Sequence, residues 1–457
     1  MTKILSKFIL ERHFFLVLVG LALPIALQDL VKFSLSLADN IMVGQISEAA
    51  LGAVTLASQP FFIFSMLSFG IASGGGVLVA QYYGKHDAKA IQKIVSITLS
   101  IGILFSFLVG FITTVFPEQV MKIFTNDAEL ISIGVDYLRI QGITYYFYGF
   151  SNTMIMLMRS TREVKAGLII NVIAFFLNVF LNWVLIFGHL GFPAMGVKGA
   201  ALGTVIARAV ECIIMLIYVR FYERHLNFRF KKLFHFDRFL FADFLHYSIP
   251  VVINESGWAV GVSAQSVILG HLNSTIIAAA SIVGTLQQMA LIFIFGVAGA
   301  SAPIIGNILG GGKDFSKVKK YANTLLASGV LVGILTASCL FIFKDAILTL
   351  YAIPAETIQL AKTFIGIQCI MVVLQSYSTP SIVGILRAGG DTTFTSIIDI
   401  GSLWVFSIPL GYLAGFVWEA SYPIIFLMLR TDELAKFPII IWRIQQKKWI
   451  RNVTRTV

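Results

Sequence analysis

Residues 14–42 read FFLVLVGLALPIALQDLVKFSLSLADNIM, a mostly apolar stretch of the length that crosses a lipid bilayer. Comparable stretches follow along the whole chain, whose residues are 57% hydrophobic and only 12% charged. The mean hydropathy of +0.86 is also that of a membrane protein. The sequence therefore predicts an all-α integral membrane protein with twelve transmembrane helices, at approximately 14–42, 54–83, 94–116, 130–158, 166–188, 199–221, 244–270, 277–309, 321–343, 358–385, 394–415 and 420–442.

The formal net charge of +11 is distributed as the positive-inside rule requires of a membrane protein. Lysine and arginine crowd every second connection, whereas the intervening loops carry one or none. The basic segments are 3–12, 85–93, 159–165, 220–238, 313–320 and 443–455. This alternation predicts a multi-pass protein of the cell inner (plasma) membrane with both termini in the cytoplasm. It leaves no need for a nucleic-acid partner.

The chain also repeats itself at an offset of 226 to 228 residues. The repeat aligns Leu23-Pro24 with Ile249-Pro250, Gly44 with Gly270, and Leu157-Met158-Arg159 with Ile385-Leu386-Arg387. It predicts two pseudo-symmetric six-helix lobes, 1–221 and 239–457, joined by a cytoplasmic linker at 222–238. Such halves, related by an axis along the membrane normal, create a central cleft and are typical of transporters.

Channels and membrane-embedded enzymes are the other classes to weigh. The sequence carries no recognisable selectivity filter, no His-Glu-x-x-His and no Ser/His pair at one depth. Asp391 follows two glycines as in some aspartyl proteases, but it lies at a basic, cytoplasmic helix start. The three cysteines have no metal spacing. We therefore expect neither an enzyme nor a bound cofactor.

Ionisable residues inside membrane spans are costly and are candidates for function. The first span contains Asp29, Lys32 and Asp39, so one of its faces must contact protein or water. Asp29 and Lys32, three residues apart, could line a substrate cavity or simply neutralise each other. Asp39 could bind a cation or lie at a solvated helix end.

Amide and hydroxyl groups add to this set. Asn178 and Asn182 share one face of the fifth span. Thr204 follows the small-residue run 199–203 in the sixth, which predicts a close approach between helices. Carboxylate, amide and hydroxyl oxygens are ligands suited to a small cation or beside an exchangeable proton. Hydrogen bonding between helices is an equally good explanation of the spacing.

The second half supplies its own carboxylate. Glu255 lies five residues after Pro250, as Asp29 lies five after Pro24, and no basic residue is near it in sequence. We expect it to be buried without a partner. Trp258, one turn further on, could give a lipophilic cation an aromatic face or simply pack in the bundle. Asp391 is expected to be better hydrated and could pair with Arg387 four residues before it.

Six segments of the sequence form a distinctive series: LADNIMVG at 37–44, FLNVFLNW at 176–183, GVKGAA at 196–201, IPVVINE at 249–255, LRAGGDT at 386–392 and KWIRN at 448–452. Through them the chain resembles the multidrug and toxic compound extrusion (MATE) transporters over nearly its whole length. Each is weak alone, but their order and spacing make the resemblance specific.

The resemblance implies a MATE-like fold and a secondary active antiporter that exports cationic, amphipathic drugs or toxic compounds in exchange for Na⁺ or H⁺ by alternating access. It implies a monomer whose partners are lipophilic cations, the coupling ion and membrane lipid. By position, the first-lobe cation site would be Asp39, Asn178, Asn182 and Thr204, the second-lobe acidic pair Glu255 and Asp391, and the bending proline Pro24. Asn182 stands where the archaeal pattern has Asp, which weakens the case for a fixed Na⁺ site.

A lipid-linked saccharide flippase of a related fold is the alternative. Such a flippase needs a cationic cavity for pyrophosphate. The acidic residues predicted for the interior argue against it.

Overall fold

A computed structural model of the protein describes residues 7–9, 11–312, 315–349 and 354–455. Lys3 and Lys313, from the basic segments of the topology argument, lie outside the described residues. The regular elements of the described part are helices, and nine helical stretches in it are long and apolar enough to cross a membrane. The expected all-α membrane fold is confirmed.

Nine α-helices are described in the first half of the chain. They are α1 (Arg12–Gly44), α2 (Glu48–Ala57), α3 (Gln59–Gly84), α4 (Ala88–Val115), α5 (Pro117–Phe124), α6 (Ala128–Gln141), α7 (Thr144–Ser160), α8 (Lys165–Phe187) and α9 (Val197–Phe221). Side-chain caps begin several of them: Ser47 accepts the Ala50 N–H at 3.0 Å, and Asp87 accepts the Ala90 N–H at 3.0 Å.

The second half is more irregular. Its α-helices are α10 (Arg238–Gly270), α11 (Ser274–Gly310), α12 (Phe315–Leu348), α13 (Ala355–Thr379), α14 (Thr392–Ser402), α15 (Ile408–Tyr412), α16 (Tyr422–Met428) and α17 (Thr431–Gln445). Three π-helical segments continue α13, α14 and α15, at Pro380–Leu386, Leu403–Ser407 and Leu413–Val417. Such segments often accompany functional sites.

All twelve predicted spans lie on helices. The span 54–83 is interrupted only at Ser58, between α2 and α3, and belongs to one of the nine stretches. Two further spans are divided. The span 130–158 is divided between α6 and α7, and 420–442 between α16 and α17. These two and α10 are outside the nine stretches that are long and apolar enough. The count of twelve therefore stays a prediction.

The helices form two compact units. Unit 1 contains Met1–Ala26, Ala80–His86 and Ile253–Val457, and unit 2 contains Leu27–Val79 and Asp87–Val252. Helix α1 passes from unit 1 to unit 2 two residues after Pro24, and α10 makes the opposite passage two residues after Pro250. Each unit thus takes most of its residues from one predicted lobe, and the boundaries at 221 and 239 stay predictions.

Glycines of α3 let helices approach closely within unit 2. A Cβ on Gly74 would lie 2.1 Å from Ser248 Oγ of α10, and one on Gly75 would lie 2.2 Å from Thr98 Oγ1 of α4. Both distances are far below van der Waals contact. Only glycine fits at these crossings.

The linker at 222–238 is docked on helix α4 of unit 2. The Phe234 N–H donates to Ser100 Oγ at 3.0 Å, and Lys232 Nζ donates to Gln92 Oε1 at 2.8 Å. The Lys93 ammonium donates to Asp237 at 2.9 Å and holds the pKa of that carboxyl below its usual value. The linker is therefore an ordered part of this unit.

The last residues of the chain pack into unit 1. Trp449 is completely buried, and its indole N–H donates to the Ile444 carbonyl at 3.1 Å. Gln81 binds the same segment, because its amide accepts from the Val453 N–H at 2.8 Å and donates to the Arg451 carbonyl at 3.1 Å. Trp449 and Val453 are consequently part of the core.

We expect Trp449→Ala to destabilise unit 1 by about 3–5 kcal/mol, because it leaves a cavity of indole size. Trp442→Ala is the matched control, since Trp442 is 53% exposed on the preceding helix. Thermal unfolding of the purified protein in detergent compares the two. Equal melting temperatures would contradict a core role for Trp449.

Candidate functional site

Unit 2 brings the four residues predicted for the cation site into one hydrogen-bonded network. Asn182 Nδ2 donates to Asp39 Oδ1 at 2.5 Å and to Asn178 Oδ1 at 3.1 Å. Asn178 Nδ2 donates to Thr204 Oγ1 at 3.1 Å, and that hydroxyl donates to the Ala200 carbonyl at 3.0 Å. Both asparagines are fully buried. Helices α1, α8 and α9 thus meet at this cluster.

The small residues at the start of α9 explain how the helices come so close. A Cβ on Gly203 would lie 2.5 Å from Asn182 Oδ1, and one on Gly199 would lie 2.5 Å from the Leu185 carbonyl. Larger side chains would push α9 away from α8. The predicted close approach at 199–203 is confirmed.

The direction of the hydrogen bonds determines what the cluster can bind. The amide N–H of Asn182, rather than its oxygen, faces Asp39. No donor among the described residues reaches the buried Asn182 Oδ1. The arrangement therefore stabilises a carboxylate at Asp39, and a metal cation would require the amide to turn its oxygen toward Asp39.

Asp29 and Lys32 do not form the local pair that their spacing allows. Asp29 Oδ1 lies 3.3 Å from Arg159 Nη2, and Lys32 Nζ donates to Asn152 Oδ1 at 3.4 Å. Gln28 Oε1 also accepts from Arg159, at 2.6 and 3.1 Å. Both ionic side chains of α1 thus have direct contacts on α7, and the two interpretations of their roles stay predictions.

The sequence reasoning missed an ion pair in α9. Arg208 Nη1 lies 2.5 Å from Glu211 Oε2, both side chains are buried, and the guanidinium lies over the Tyr148 ring at 5.4 Å. The signal was available, because both residues are ionisable and lie within the predicted span 199–221.

In unit 1, Glu255 has a cationic partner. Arg387 Nη2 donates to Glu255 Oε1 at 2.9 Å, and the arginine side chain is only 1% exposed. The expectation that Glu255 is buried without a partner is therefore wrong. Sequence proximity could not indicate Arg387, because 132 residues separate the pair. The suggested pairing of Arg387 with Asp391 is also wrong, because Arg387 pairs with Glu255 instead.

Asp391 is bound by other arginines. Arg443 Nε and Nη2 donate to its two oxygens at 2.7 and 3.0 Å, and Arg451 lies 3.6 Å away. Asp391 is only 4% exposed, so the expectation that it is well hydrated is also wrong. Glu255 and Asp391 therefore have separate cationic partners.

A further carboxylate, Asp399, contacts the residue next to Glu255 in sequence. Asn254 Nδ2 donates to Asp399 Oδ2 at 3.1 Å, and Lys436 Nζ lies 3.0 Å from Asp399 Oδ1. Asp399 and Lys436 were missed, although each is an ionisable residue inside a predicted span.

The repeat relates the ion pairs of the two units. Asp29 and Glu255 are equivalent at an offset of 226, and Arg159 and Arg387 at an offset of 228. In each unit the equivalent arginine contacts the equivalent carboxylate, at 3.3 and 2.9 Å. The two halves thus repeat an ion pair as well as a helix order.

The charges inside both units are mixed. In unit 2 the carboxylates of Asp29, Asp39 and Glu211 lie in the same interior as the cations of Lys32, Arg159 and Arg208. The premise of an acidic interior, used against the flippase alternative, is wrong. Charge sign alone does not separate the two functions.

The structure bears less on the remaining candidates. Trp258 lies one turn from Glu255 on α10 and is 36% exposed. Pro24 lies within the continuous helix α1. The roles assigned to both stay predictions.

Comparison with known proteins gives consistent matches. A family model described as MatE matches residues 24–184 and 259–413. The chain is 26% identical over 448 residues to "Probable multidrug resistance protein NorM" of Bacillus cereus, covering 94% of this chain and 95% of that protein.

Two solved structures are similar in fold. A variant of the Vibrio cholerae MATE transporter VcmN gives a TM-score of 0.87 at 15% identity, covering 98% of this chain and 100% of that one. A MOP superfamily transporter from Pyrococcus furiosus gives 0.84 at 16% identity, covering 94% and 95%. For that protein, reverse polarity of the binding pocket is said to suggest a different function.

Proposed function

We propose that the chain exports lipophilic organic cations in exchange for protons, because it belongs to the MatE family of multidrug and toxic compound extrusion transporters. As a member of that family it is a transporter and not an enzyme. The substrate class, the coupling ion and the residues that carry them are the proposal.

The Asp39 network is the observation that carries this proposal. It contains one carboxylate, which accepts a hydrogen bond from the buried amide of Asn182, and that amide also donates to Asn178. A carboxylate in a membrane span is costly, which makes it a candidate for a role in transport. It can hold a proton or attract a cationic substrate, and competition between the two couples their movements.

The same network supports a proton rather than Na⁺. Asn182 presents an N–H to Asp39, and the cluster lacks a second carboxylate because position 182 is Asn. A hard metal cation prefers several oxygen ligands, preferably charged ones. A proton needs only Asp39.

Roles in coupling, substrate binding and conformational change are also proposed for residues outside the Asp39 network. Glu255 is proposed as the coupling carboxylate of unit 1, with a smaller contribution from Asp391, whose two oxygens Arg443 engages. Trp258, Asp29 and Lys32 are proposed to face the substrate. Alternating access is proposed to bend α1 at Pro24, as the passage between units after Ala26 supports.

The membrane arrangement is also part of the proposal. We place a twelve-span monomer in the plasma membrane with both termini in the cytoplasm. The alternation of basic and bare loops supports this orientation.

A lipid-linked saccharide flippase is kept as the second candidate. The buried cations Arg159, Arg208 and Arg387 favour it, since guanidinium groups bind phosphates well. Such a protein would bind a lipid pyrophosphate more strongly than an organic cation.

Proteoliposomes containing the purified protein test the proposal. We expect an imposed pH gradient to drive ethidium transport and an imposed Na⁺ gradient of equal size, at constant pH, to drive none. Inhibition of ethidium transport by a lipid pyrophosphate measures the competing candidate. Transport driven by Na⁺ alone would contradict proton coupling, and tight pyrophosphate binding without ethidium transport would favour the flippase.

A further inference from the structure

The last predicted span is broken inside unit 1. Helices α16 and α17 are separated at Leu429 and Arg430, in the middle of the apolar stretch 420–442. The Leu429 carbonyl at the break accepts hydrogen bonds from Gln265 Nε2 and Ser407 Oγ, both at 2.8 Å. Broken helices within spans are tolerated where protein satisfies the freed backbone, and they often mark ion sites in transporters.

A single ammonium group lies among carboxylates just after this break. Lys436 Nζ is 2.7 Å from Glu433 Oε1, 3.0 Å from Asp399 Oδ1 and 3.6 Å from Asp432 Oδ2. The lysine side chain is 8% exposed, and none of the three carboxylate side chains is more than 15% exposed. Three carboxylates so close together in a poorly solvated place require a cation.

Two polar side chains of helix α13 complete the cluster. Ser378 Oγ donates to Glu433 Oε2 at 2.8 Å, and Gln375 Nε2 donates to Glu433 Oε1 at 3.3 Å. Gln375 is 7% exposed, and among the described residues no donor reaches its Oε1. The amide that points at the cluster therefore has an oxygen available for a cation.

We propose that Lys436 is a built-in cation that determines the ion selectivity of unit 1. Its ammonium takes the place that Na⁺ would otherwise take among Asp399, Asp432 and Glu433. Its positive charge offsets one of the three carboxylates, and protons are the exchangeable cations that remain for the other two. This inference rests on the proposed proton coupling and extends it to a second cluster.

Removal of the Lys436 ammonium should therefore change the ion selectivity of unit 1 and not only reduce transport. Lys436→Met keeps most of the side-chain length and leaves the three carboxylates without their cation. We expect transport by this variant to fall about tenfold or more in choline chloride, and NaCl at the same ionic strength to restore most of it. Wild-type transport should respond equally to both salts.

A binding readout separates this inference from the proposed function. Thermal unfolding of purified Lys436→Met should move to higher temperature in NaCl than in choline chloride, because Na⁺ would bind only the folded site. Lys436→Gln serves if the methionine variant is not recovered. This measurement involves no transport, so it stands even if wild-type export proves to be driven by Na⁺.

Two controls define the outcome. Lys362→Met removes an exposed lysine that lies 2.7 Å from Asp345 in the same unit, and it should show no sodium response. Asp399→Asn/Lys436→Met removes one charge of each sign and should weaken the response. A Lys436 variant that is equally stable in both salts, with activity that Na⁺ does not restore, would overturn the inference and leave Lys436 as a structural ion-pair residue.

Discussion

Asp39→Asn is expected to lower ethidium export about a hundredfold, toward the upper end of usual coupling free energies. The amide cannot exchange a proton or offer a full negative charge. It keeps an oxygen that can accept the hydrogen bond from Asn182, which lies 2.5 Å from Asp39 Oδ1. The free energy of unfolding should therefore change by no more than about 1 kcal/mol. Proteoliposome transport under a pH gradient, together with thermal unfolding, measures both quantities.

Asp136→Asn is the matched control for this variant. Asp136 also belongs to unit 2, but its side chain is 48% exposed and pairs with Lys198 at the surface. Its substitution should leave transport unchanged. Wild-type export by Asp39→Asn would show that the carboxylate is not needed, and Asn178 and Asn182 would then be hydrogen-bonding residues between helices.

The cluster around Asp39 was predictable because local spacing and resemblance agree there. Asn178 and Asn182 are four residues apart on one uninterrupted helix, so their side chains share a face. The glycines at 199 and 203 indicated a close helix crossing, which the structure confirms. The contact between Asp39 and Asn182 joins residues 143 positions apart, and only the resemblance indicated it.

The ion pairs of unit 1 were not predictable from the same rules. The rule for residues four apart applies within a helix, and the chain between Arg387 and Asp391 is not helical. Gly390 has a φ of +81° and turns the chain between the end of the π-helical segment and the start of α14. Arg387 and Asp391 consequently contact different partners.

Asp29 and Lys32 make contacts that their local spacing did not indicate. They do lie three residues apart on α1, but a guanidinium from α7 binds Asp29 and Gln28 together. Tertiary contacts of this kind outweigh the small energy of a local ion pair. The internal repeat held the missing signal, since it aligns Arg159 with Arg387 as well as Asp29 with Glu255.

The pair of Glu255 and Arg387 gives the second large effect. Glu255→Gln leaves the guanidinium of Arg387, which is 1% exposed, without its counter-ion, and Arg387→Met leaves the carboxylate without its cation. Each single change should destabilise the protein by about 3–5 kcal/mol and abolish export. The double variant removes both charges, so thermal unfolding should show most of the stability restored.

Export by the double variant then distinguishes a role of Glu255 in stability from a role in proton coupling. If Glu255 carries the exchanged proton, the double variant folds well but still fails to export under a pH gradient, because glutamine cannot take part in the exchange. The same cycle on Asp29 and Arg159, the repeat equivalents, provides the comparison: their contact is longer, at 3.3 Å, and Asp29 is 28% exposed, so the loss of stability should be smaller. Export at the wild-type rate by Glu255→Gln/Arg387→Met would make the pair purely structural and confine coupling by carboxylates to other positions, with Asp39 first among them.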